Sequence, residues 1–374
     1  MADLGVGIIG CGNISAAYLR LAPMFKGYDI RAVADINLDA AKARAEEFGV
    51  QGQSVEDLLS NDTIDLVINL TIPAAHFDVS QRILQAGKHV YSEKPFVLTR
   101  DEGQALAELA DQKGLQIGSA PDTFMGGSHQ FARALVDEGQ IGKVTSGTAV
   151  IQSHGMEDWH PNPDFFFQPG AGPVLDIGPY YISNLVQLIG PVARVTAFAG
   201  SASATRTIGN GPRLGEEIPV DTPTTIHAVM EFESGAIVTL LTSWDVWSHG
   251  HSRMELYGTE GTMYLPDPNF FGGDLTVTSR KDAAEVTPWD HPFSVVNDGE
   301  QANYRGAGLA DMALAIAEGR PHRCSNDFAL HVVDIMTSIL AAAETGRVVD
   351  IATRCTRPTP LGPDEAAALM TPQD

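Results

Sequence analysis

The stretch GVGIIGCGNIS, residues 5 to 15, constrains the fold more than any other, because it carries two overlapping glycine patterns between an apolar run and a helical pattern. A dinucleotide-binding loop needs a buried strand before it and a helix after it, since the pyrophosphate rests on the free N–H groups of the helix start. The literal G-x-G-x-x-G of Gly5, Gly7 and Gly10 fails this test, because its glycines lie inside the only apolar segment that can form a first strand. The second register, Gly10-Cys-Gly12-Asn-Ile-Ser15, passes it: a strand precedes it and Ala16, Ala17, Leu19 and Leu21 follow with helical spacing. Ser15 is small enough for close helix packing. A second strand over 30–34 ends at Asp35, twenty residues after Ser15, where a carboxylate should meet the adenosine ribose. Without a ligand, the same residues would be only a glycine-rich strand and turn; the spacing of Asp35 favours the dinucleotide.

Composition bounds the partners. The chain has 374 residues, 24 basic and 47 acidic, for a formal charge of −23. That field repels phosphate backbones and anionic membranes, so neither nucleic acid nor a membrane is an expected partner. Cys11, Cys324 and Cys355 are far apart, with no C-x-x-C, and fit a reducing compartment. The first strand begins near residue 4 and no uninterrupted apolar run reaches membrane-spanning length, so the expected location is cytoplasmic. His249 and His251 have no acidic or cysteine ligand at a supporting spacing, and no bound metal is expected.

Up to residue 120, short Val-, Ile- and Leu-rich runs at 4–9, 30–34, 65–70, 88–92 and 115–118 alternate with helical patterns. This predicts an α/β unit, a doubly wound parallel Rossmann sheet over residues 1–120. Residues 121–374 read differently. Hairpins are predicted at 226–232/236–241 and 254–257/262–265, with strands at 144–151 and 194–199 and helices near 308–318 and 327–344. The expectation is a C-terminal α+β domain with a large, mostly antiparallel open sheet. A long loop, 154–174, carries four prolines, Trp159 and Phe165 to Phe167, and a loop of that length in a compact domain is usually functional or mobile.

Chemistry gathers in two further segments. In AGKHVYSEKPFVLT (86–99) the fourth strand runs into Glu93-Lys94-Pro95, at the carboxyl end of the sheet where open α/β folds bind ligands. Lys94 there can point at cofactor and substrate; the alternative is a plain surface Glu-Lys pair. In GAGPVLDIGPYYISNLVQLIG (170–190), Asp176 and Tyr180 share a helical face if the helix has begun by Asp176, which Gly178 and Pro179 leave open. Tyrosine serves as acid or base near neutrality only beside a cation that stabilises its phenolate, and Lys94 is the candidate. Otherwise Tyr180 is a packing aromatic. Asp122, Trp159, His160 and Asn162 could line a ligand site, the tryptophan offering an apolar face to C–H groups and the others hydrogen bonds.

GIIGCGNIS, Asn69-Leu-Thr71-Ile-Pro73 with His76, AGKHVYSEKP, GQIGKV, DIGPYY, YGTEGTM and SILAAAETGRVV together resemble the Gfo/Idh/MocA oxidoreductases over nearly the whole chain. The resemblance implies a Rossmann domain, a C-terminal domain whose open sheet forms dimers or tetramers, and NAD(P)-dependent hydride transfer at a secondary alcohol or ketone of a sugar, polyol or cyclitol. It assigns Gly10, Gly12, Asn13 and Ile14 to the pyrophosphate loop, Asp35 to the ribose, and Thr71, Pro73 and His76 to the wall near the cofactor. It puts Glu93 on the nicotinamide side, Lys94 in the catalytic lysine's place and Asp176 in that of the substrate-orienting aspartate. Many members carry histidine where this chain has Tyr180; the tyrosine version resembles glucose-fructose oxidoreductase and the dimeric dihydrodiol dehydrogenases. NAD is the expected cofactor, because Asp35 repels a 2'-phosphate and Ile36, Asn37 and Leu38 supply no cation, with NADP the lesser option. The family also contains a non-catalytic NAD(P)-binding regulatory protein and NAD-dependent redox-assisted glycosidases, which stand as alternatives.

Overall fold

All but the first residue of the run Leu4–Ile9 is buried, so that strand needs cover on both faces. The computed structural model, which describes residues 3–279, 286 and 289–372, supplies it. Six parallel strands, β1 (Leu4–Ile9), β2 (Tyr28–Ala34), β3 (Gln51–Gln53), β4 (Leu66–Asn69), β5 (His89–Ser92) and β6 (Ile117–Ser119), lie in the order β3-β2-β1-β4-β5-β6. Helices α1 (Asn13–Leu21), α2 (Leu38–Phe48), α3 (Val55–Ser60), α4 (His76–Gln85) and α5 (Arg100–Lys113) connect them. The strand order reverses between β1 and β4, which opens a crevice at the carboxyl ends of both strands. α5 starts where the sequence places it: the Thr99 side chain accepts from the Glu102 N–H while the Glu102 carboxylate accepts from the Thr99 N–H. β3 has no apolar run to announce it. It is a polar strand at the sheet edge, short as exposed edges tend to be.

After α6 (Gly127–Asp137) the chain builds a second sheet from β7 (Val144–Gln152), α7 (Pro173–Asp176), α8 (Gly178–Ile189) and β8 (Val192–Gly200) onward. A small ribbon, β9 (Thr205–Thr207) with β10 (Glu217–Pro219), stands apart from it. β11 (Thr225–Phe232), β12 (Ile237–Ser243), β13 (Met254–Gly258), β14 (Gly261–Leu265), β15 (Thr276–Ser279) and β16 (Val349–Asp350) complete it in the order β15-β14-β13-β7-β12-β11-β8-β16. Among the described residues of this sheet, only β7 with β12 pairs in parallel; the rest are antiparallel. Both expected hairpins are present, each within two residues of the expected ends.

The pleat of β11 explains the layer arrangement. Ile226, Ala228, Met230 and Phe232 point inward and are buried, whereas His227 and Val229 alternate outward. α8 packs across the inner side and α10 (Asn326–Thr345) against β8, following α9 (Ala307–Glu318); α11 (Pro363–Leu369) closes the chain against α9. α10 is long and apolar enough by composition to cross a membrane, unlike the sequence expectation, yet most of it is buried against β8, α5 and α8.

Candidate active site

The glycine loop has the shape a dinucleotide needs. Gly10 takes a φ of +107°, and a Cβ there would sit 2.5 Å from the Leu70 carbonyl oxygen, so no other residue lets β1 turn this close to the end of β4. At Gly12, by contrast, a Cβ would meet nothing within 4 Å, leaving an open surface above the first turn of α1 with Asn13 and Ile14. Ser15 is buried and donates from Oγ to the Gly12 carbonyl at 2.6 Å, holding the loop against the helix. Asp35 at the end of β2 accepts from the Cys11 N–H and the Asn37 N–H, both at 2.8 Å, which fixes its carboxylate beside the loop. These are the features a bound dinucleotide requires: free helix N–H groups, room for a pyrophosphate, and an oriented carboxylate for the ribose.

Across the crevice, Asn69 organises the second wall. Its side chain accepts from the Thr71 N–H and hydroxyl and donates to the His76 carbonyl and to Ser80. His76 is buried, its ring nitrogens 2.6 Å from the Pro95 carbonyl and 3.0 Å from the Thr71 carbonyl, and burial pulls its basicity down. It therefore ties the Thr71–Pro73 turn to the Lys94–Pro95 turn from behind, and Pro73 lines the cleft in front.

Lys94 crosses from the first sheet to the second. Its Nζ donates to the Asp176 backbone oxygen at 2.7 Å and to Asp176 Oδ1 at 2.8 Å, and lies 5.3 Å from the centre of the Tyr180 ring. Ile177 separates α7 from α8 while keeping right-handed helical backbone angles, and Asp176 and Tyr180 meet at the same ammonium. Burial lowers the basicity of Lys94, but the Asp176 carboxylate and the Tyr180 oxygen more than offset it, leaving the ammonium firmly charged. Lys94 is thus a fixed cation and not a base. An ammonium has three protons to donate, and two are committed to Asp176. Behind it Glu93 accepts from the Lys94 N–H at 2.8 Å and from the Tyr18 hydroxyl at 3.1 Å.

A second cation stands where the sequence reading placed none. Arg305, just before α9, lies close enough to Tyr180 for the two to interact electrostatically. Burial works against its charge, but the Tyr180 oxygen, Glu93 and Asp122 outweigh that and raise its basicity further. Its Nη2 donates to Asn269 Oδ1 at 3.2 Å and its Nη1 approaches Asn303 Oδ1 at 3.4 Å. Asp122 proves to be a brace and not a wall of the cleft: it is 1% exposed, and its Oδ2 accepts from the Gly306 and Gly308 N–H groups at 2.9 and 3.0 Å. Gly306 makes this turn at a φ of +105°.

Burial pushes the Asp122 carboxyl up to about 6, partly countered by those two N–H groups and Arg305, against an ordinary 3.8. The folded chain therefore binds this proton more tightly than the unfolded chain. That contribution to stability is complete below about pH 4 and lost as pH rises through about 6, an effect on the order of 3 kcal/mol. Asp122→Asn removes it, so the melting temperature of the wild type relative to the variant should fall between pH 4 and pH 7. Parallel melting curves across that range would refute the assignment.

The 154–174 loop is a built wall with its own small core. Met156, Phe167, Ile208, Ile218 and Trp244 pack together, and Arg206 pairs with Glu157 and Asp245 beneath them. A cleft of about 250 Å³ runs between Ile72, Pro73 and Ala74 on one side and Phe165, Phe166 and Gln168 on the other, with Lys94 and Asp176 in it. Trp159, His160 and Asn162 do not line it. The His160 ring stands edge-on at 5.5 Å from both Phe165 and Phe166, Trp159 is 62% exposed beyond it, and the Asn162 N–H donates to His160 Nδ1. His249 and His251 stack on each other in an exposed segment, and among the described residues no three metal-ligating side chains converge.

Residues 4–120 match the model of an oxidoreductase family with an NAD-binding Rossmann fold, and residues 129–264 match that of the GFO/IDH/MocA C-terminal domain. The chain belongs to the GFO/IDH/MocA oxidoreductase family. Among family members, levoglucosan dehydrogenase of Pseudarthrobacter phenanthrenivorans is 26% identical over 295 residues, covering 70% of this chain and 73% of that one. D-xylose 1-dehydrogenase (NADP(+)) 2 of Haloferax volcanii is 26% identical over 352 residues, 92% of this chain and 99% of that one. The solved structure of levoglucosan dehydrogenase in complex with NADH and L-sorbose superposes with a TM-score of 0.78 at 22% identity, covering 94% of this chain and all of that one, and shares the fold. This member of the GFO/IDH/MocA family is an NAD(P)-dependent dehydrogenase or reductase acting on CH–OH groups, with a Rossmann unit for the dinucleotide.

Three residues of this family member escaped the sequence reading besides Arg305. Phe165 and Phe166, not Trp159, face the cleft. Arg44 on α2 reaches back to the Gly12 carbonyl at 3.3 Å, so a cation does stand near the ribose end of the loop. The only signal for Arg305 is a polar Asn303-Tyr-Arg-Gly306 turn opening a helix, and nothing local ties it to Tyr180.

Proposed function

We propose that the protein interconverts a secondary alcohol and a ketone on a neutral sugar, polyol or cyclitol, with Lys94 and Tyr180 acting on the reacting oxygen. The observation that carries this is the meeting of Lys94 Nζ, Asp176 and Tyr180 at the carboxyl end of the parallel sheet, beside a cleft between two walls. When bound, the nicotinamide takes up or supplies the hydride equivalent. Gly10, Gly12, Asn13 and Ile14 would hold the pyrophosphate, Asp35 the ribose, and Thr71, Pro73 and Glu93 the approach to the nicotinamide. Lys94 donates its third proton in a hydrogen bond to the substrate oxygen and steadies the charge that develops there. Tyr180 takes the hydroxyl proton in oxidation and returns it in reduction. Asp176 holds the ammonium in place. Phe165 and Phe166 offer apolar faces to ring C–H groups, and Gln168 a polar one to hydroxyls.

The charge pattern supports a neutral substrate. Lys94 is paired to Asp176, so its charge is already matched before a substrate arrives. We place the boundary between cofactor and substrate domains at residues 120/121. We also propose a homo-oligomer through the outer face of the second sheet, where Phe198, Val229, Ile237 and Tyr264 are exposed, and a cytoplasmic location consistent with three free cysteines.

Incubation with NAD and a panel of sugars and polyols tests the reading: net NADH should accumulate with at least one neutral member. NAD binding without turnover across the panel would favour a regulatory protein, and aglycone release without net NADH a redox-assisted glycosidase. In the same assay NAD should be preferred to NADP, because the anchored Asp35 carboxylate opposes a 2'-phosphate. Asp35→Ser should shift the ratio of dissociation constants toward NADP by about tenfold or more, with Arg44 supplying the cation. An unchanged ratio would remove Asp35 from cofactor selection.

A further inference from the structure

We propose that the cavity between the amino ends of β5 and β6 and the start of α10 is a second ligand site, taking a small neutral molecule rich in hydroxyl groups. It is separate from the dehydrogenase site and does not depend on how that site is read.

The fold sets the two sites apart. β5 begins at His89, which lines the cavity, and ends at Ser92, next to Glu93 and the cleft residue Lys94, so the sites lie at opposite ends of one strand. At the amino end, the last turns of α5 and α9, the turn through Pro321 and the first turn of α10 enclose about 610 Å³. That is larger than the cleft of about 250 Å³ beside Lys94, and it falls within the roughly 300–1,000 Å³ of small-molecule sites. Ala110, Ile117 and Ala315 give it a buried apolar wall, on which the C–H face of a ring can rest.

The polar groups define what fits. His322 lines the cavity and is 6% exposed, yet its Nδ1 has no hydrogen-bond partner among the described residues. Oδ1 of Asn326, the first residue of α10 and another lining side chain, is also buried without one. Buried polar atoms are nearly always paired, so two orphans on one cavity point to a partner from outside the chain. His89 supplies the complement. Its Nδ1 accepts from the Gln116 N–H at 2.9 Å, which leaves the ring proton on Nε2 as a donor. Burial pulls the His322 ring down to about 4, so it is neutral near pH 7. The cavity therefore presents uncharged donors and acceptors together, and a hydroxyl, which both donates and accepts, matches them.

Charge argues against the other classes of ligand. Arg320 is already matched by Glu318 at 2.6 Å and by Asp311 at 2.9 Å, and the lining carboxylates of Asp111 and Asp327 oppose a phosphate or a carboxylate. Both carboxylates are exposed to water, where they hold a cation only weakly.

Crystals of the whole protein soaked with myo-inositol, D-glucose or sorbitol, and calorimetric titration with the same three probes, test the proposal. At least one should occupy the cavity with hydroxyls in hydrogen-bond reach of His322 Nδ1 and Asn326 Oδ1. Ala107→Phe narrows the cavity from a partly buried position on α5 and should weaken that binding about tenfold or more, and Asn326→Leu about threefold to tenfold. Glucose 6-phosphate should not enter. Binding of a probe beside Lys94 is left unchanged by either substitution, so it bears on the dehydrogenase reading alone. A cavity holding only water after all three soaks, titrations identical in the wild type and both variants, or occupancy by glucose 6-phosphate in preference to the neutral probes would each overturn the proposal.

Discussion

Tyr180→Phe is expected to lower kcat by about 10²- to 10⁴-fold while the dissociation constant for NAD stays within about twofold. The substitution removes one oxygen and keeps a ring whose packing in α8 is already almost complete, so the fold should survive. Removing a single hydroxyl limits the stability loss to about 1 kcal/mol, and Arg305 keeps Asn269 and Asn303. Glycine loop, Asp35 and the Thr71–Pro73 wall are untouched, hence the unchanged cofactor affinity. Near-normal turnover would show that proton transfer runs through another group. That group would not be Lys94, which remains an ammonium in this setting, nor His160, which stands behind Phe165 and Phe166.

Lys94→Met has the second-largest expected effect, a fall in kcat of about 10²- to 10³-fold, the loss typical of one preorganised donor to a developing oxyanion. Methionine fills the volume but leaves Asp176 Oδ1 without its partner, so stability should also drop by about 1–3 kcal/mol. The two effects separate experimentally. Asp176→Asn loses the ion pair yet keeps an oxygen to accept from Nζ, so it should resemble Lys94→Met in melting temperature and remain well above it in kcat. Equal kcat in the two variants would mean that Lys94 serves only to join the sheets.

Much of this architecture is written locally in the residues. The strand, the Gly10-Cys-Gly12 turn and Asp35 declare themselves because each depends on its neighbours in the chain: a buried run, a positive φ, a carboxylate at a strand end. The capping box at Thr99 and both hairpins of the second sheet are legible for the same reason. β3 is not, since Gln51–Gln53 gains its strand geometry from pairing with β2 at an exposed edge and carries no apolar pattern.

The site was legible in part. Lys94, Asp176 and Tyr180 could be nominated from chain position and family resemblance, and the fold brings those three together. What stayed hidden are contacts between elements far apart in sequence. Asp122 reads as a free polar residue until its oxygen is found holding the backbone ahead of α9. Arg305 lies in an ordinary-looking turn, and its electrostatic influence on Tyr180, Glu93 and Asp122 appears only in the folded chain. Trp159 is the largest aromatic of its loop, but the turn through Pro163 and the small core beneath Phe167 direct Phe165 and Phe166 to the cleft instead.

The central claim, that the Lys94 ammonium and the Tyr180 phenol converge on one reacting oxygen, is tested most directly by a crystal structure of the protein soaked with NAD and the polyol that proves to be its substrate. The account predicts the substrate oxygen within hydrogen-bond reach of both Lys94 Nζ and Tyr180 Oη, with Phe165 and Phe166 against the sugar. A productive complex whose reacting oxygen contacts neither group would contradict it.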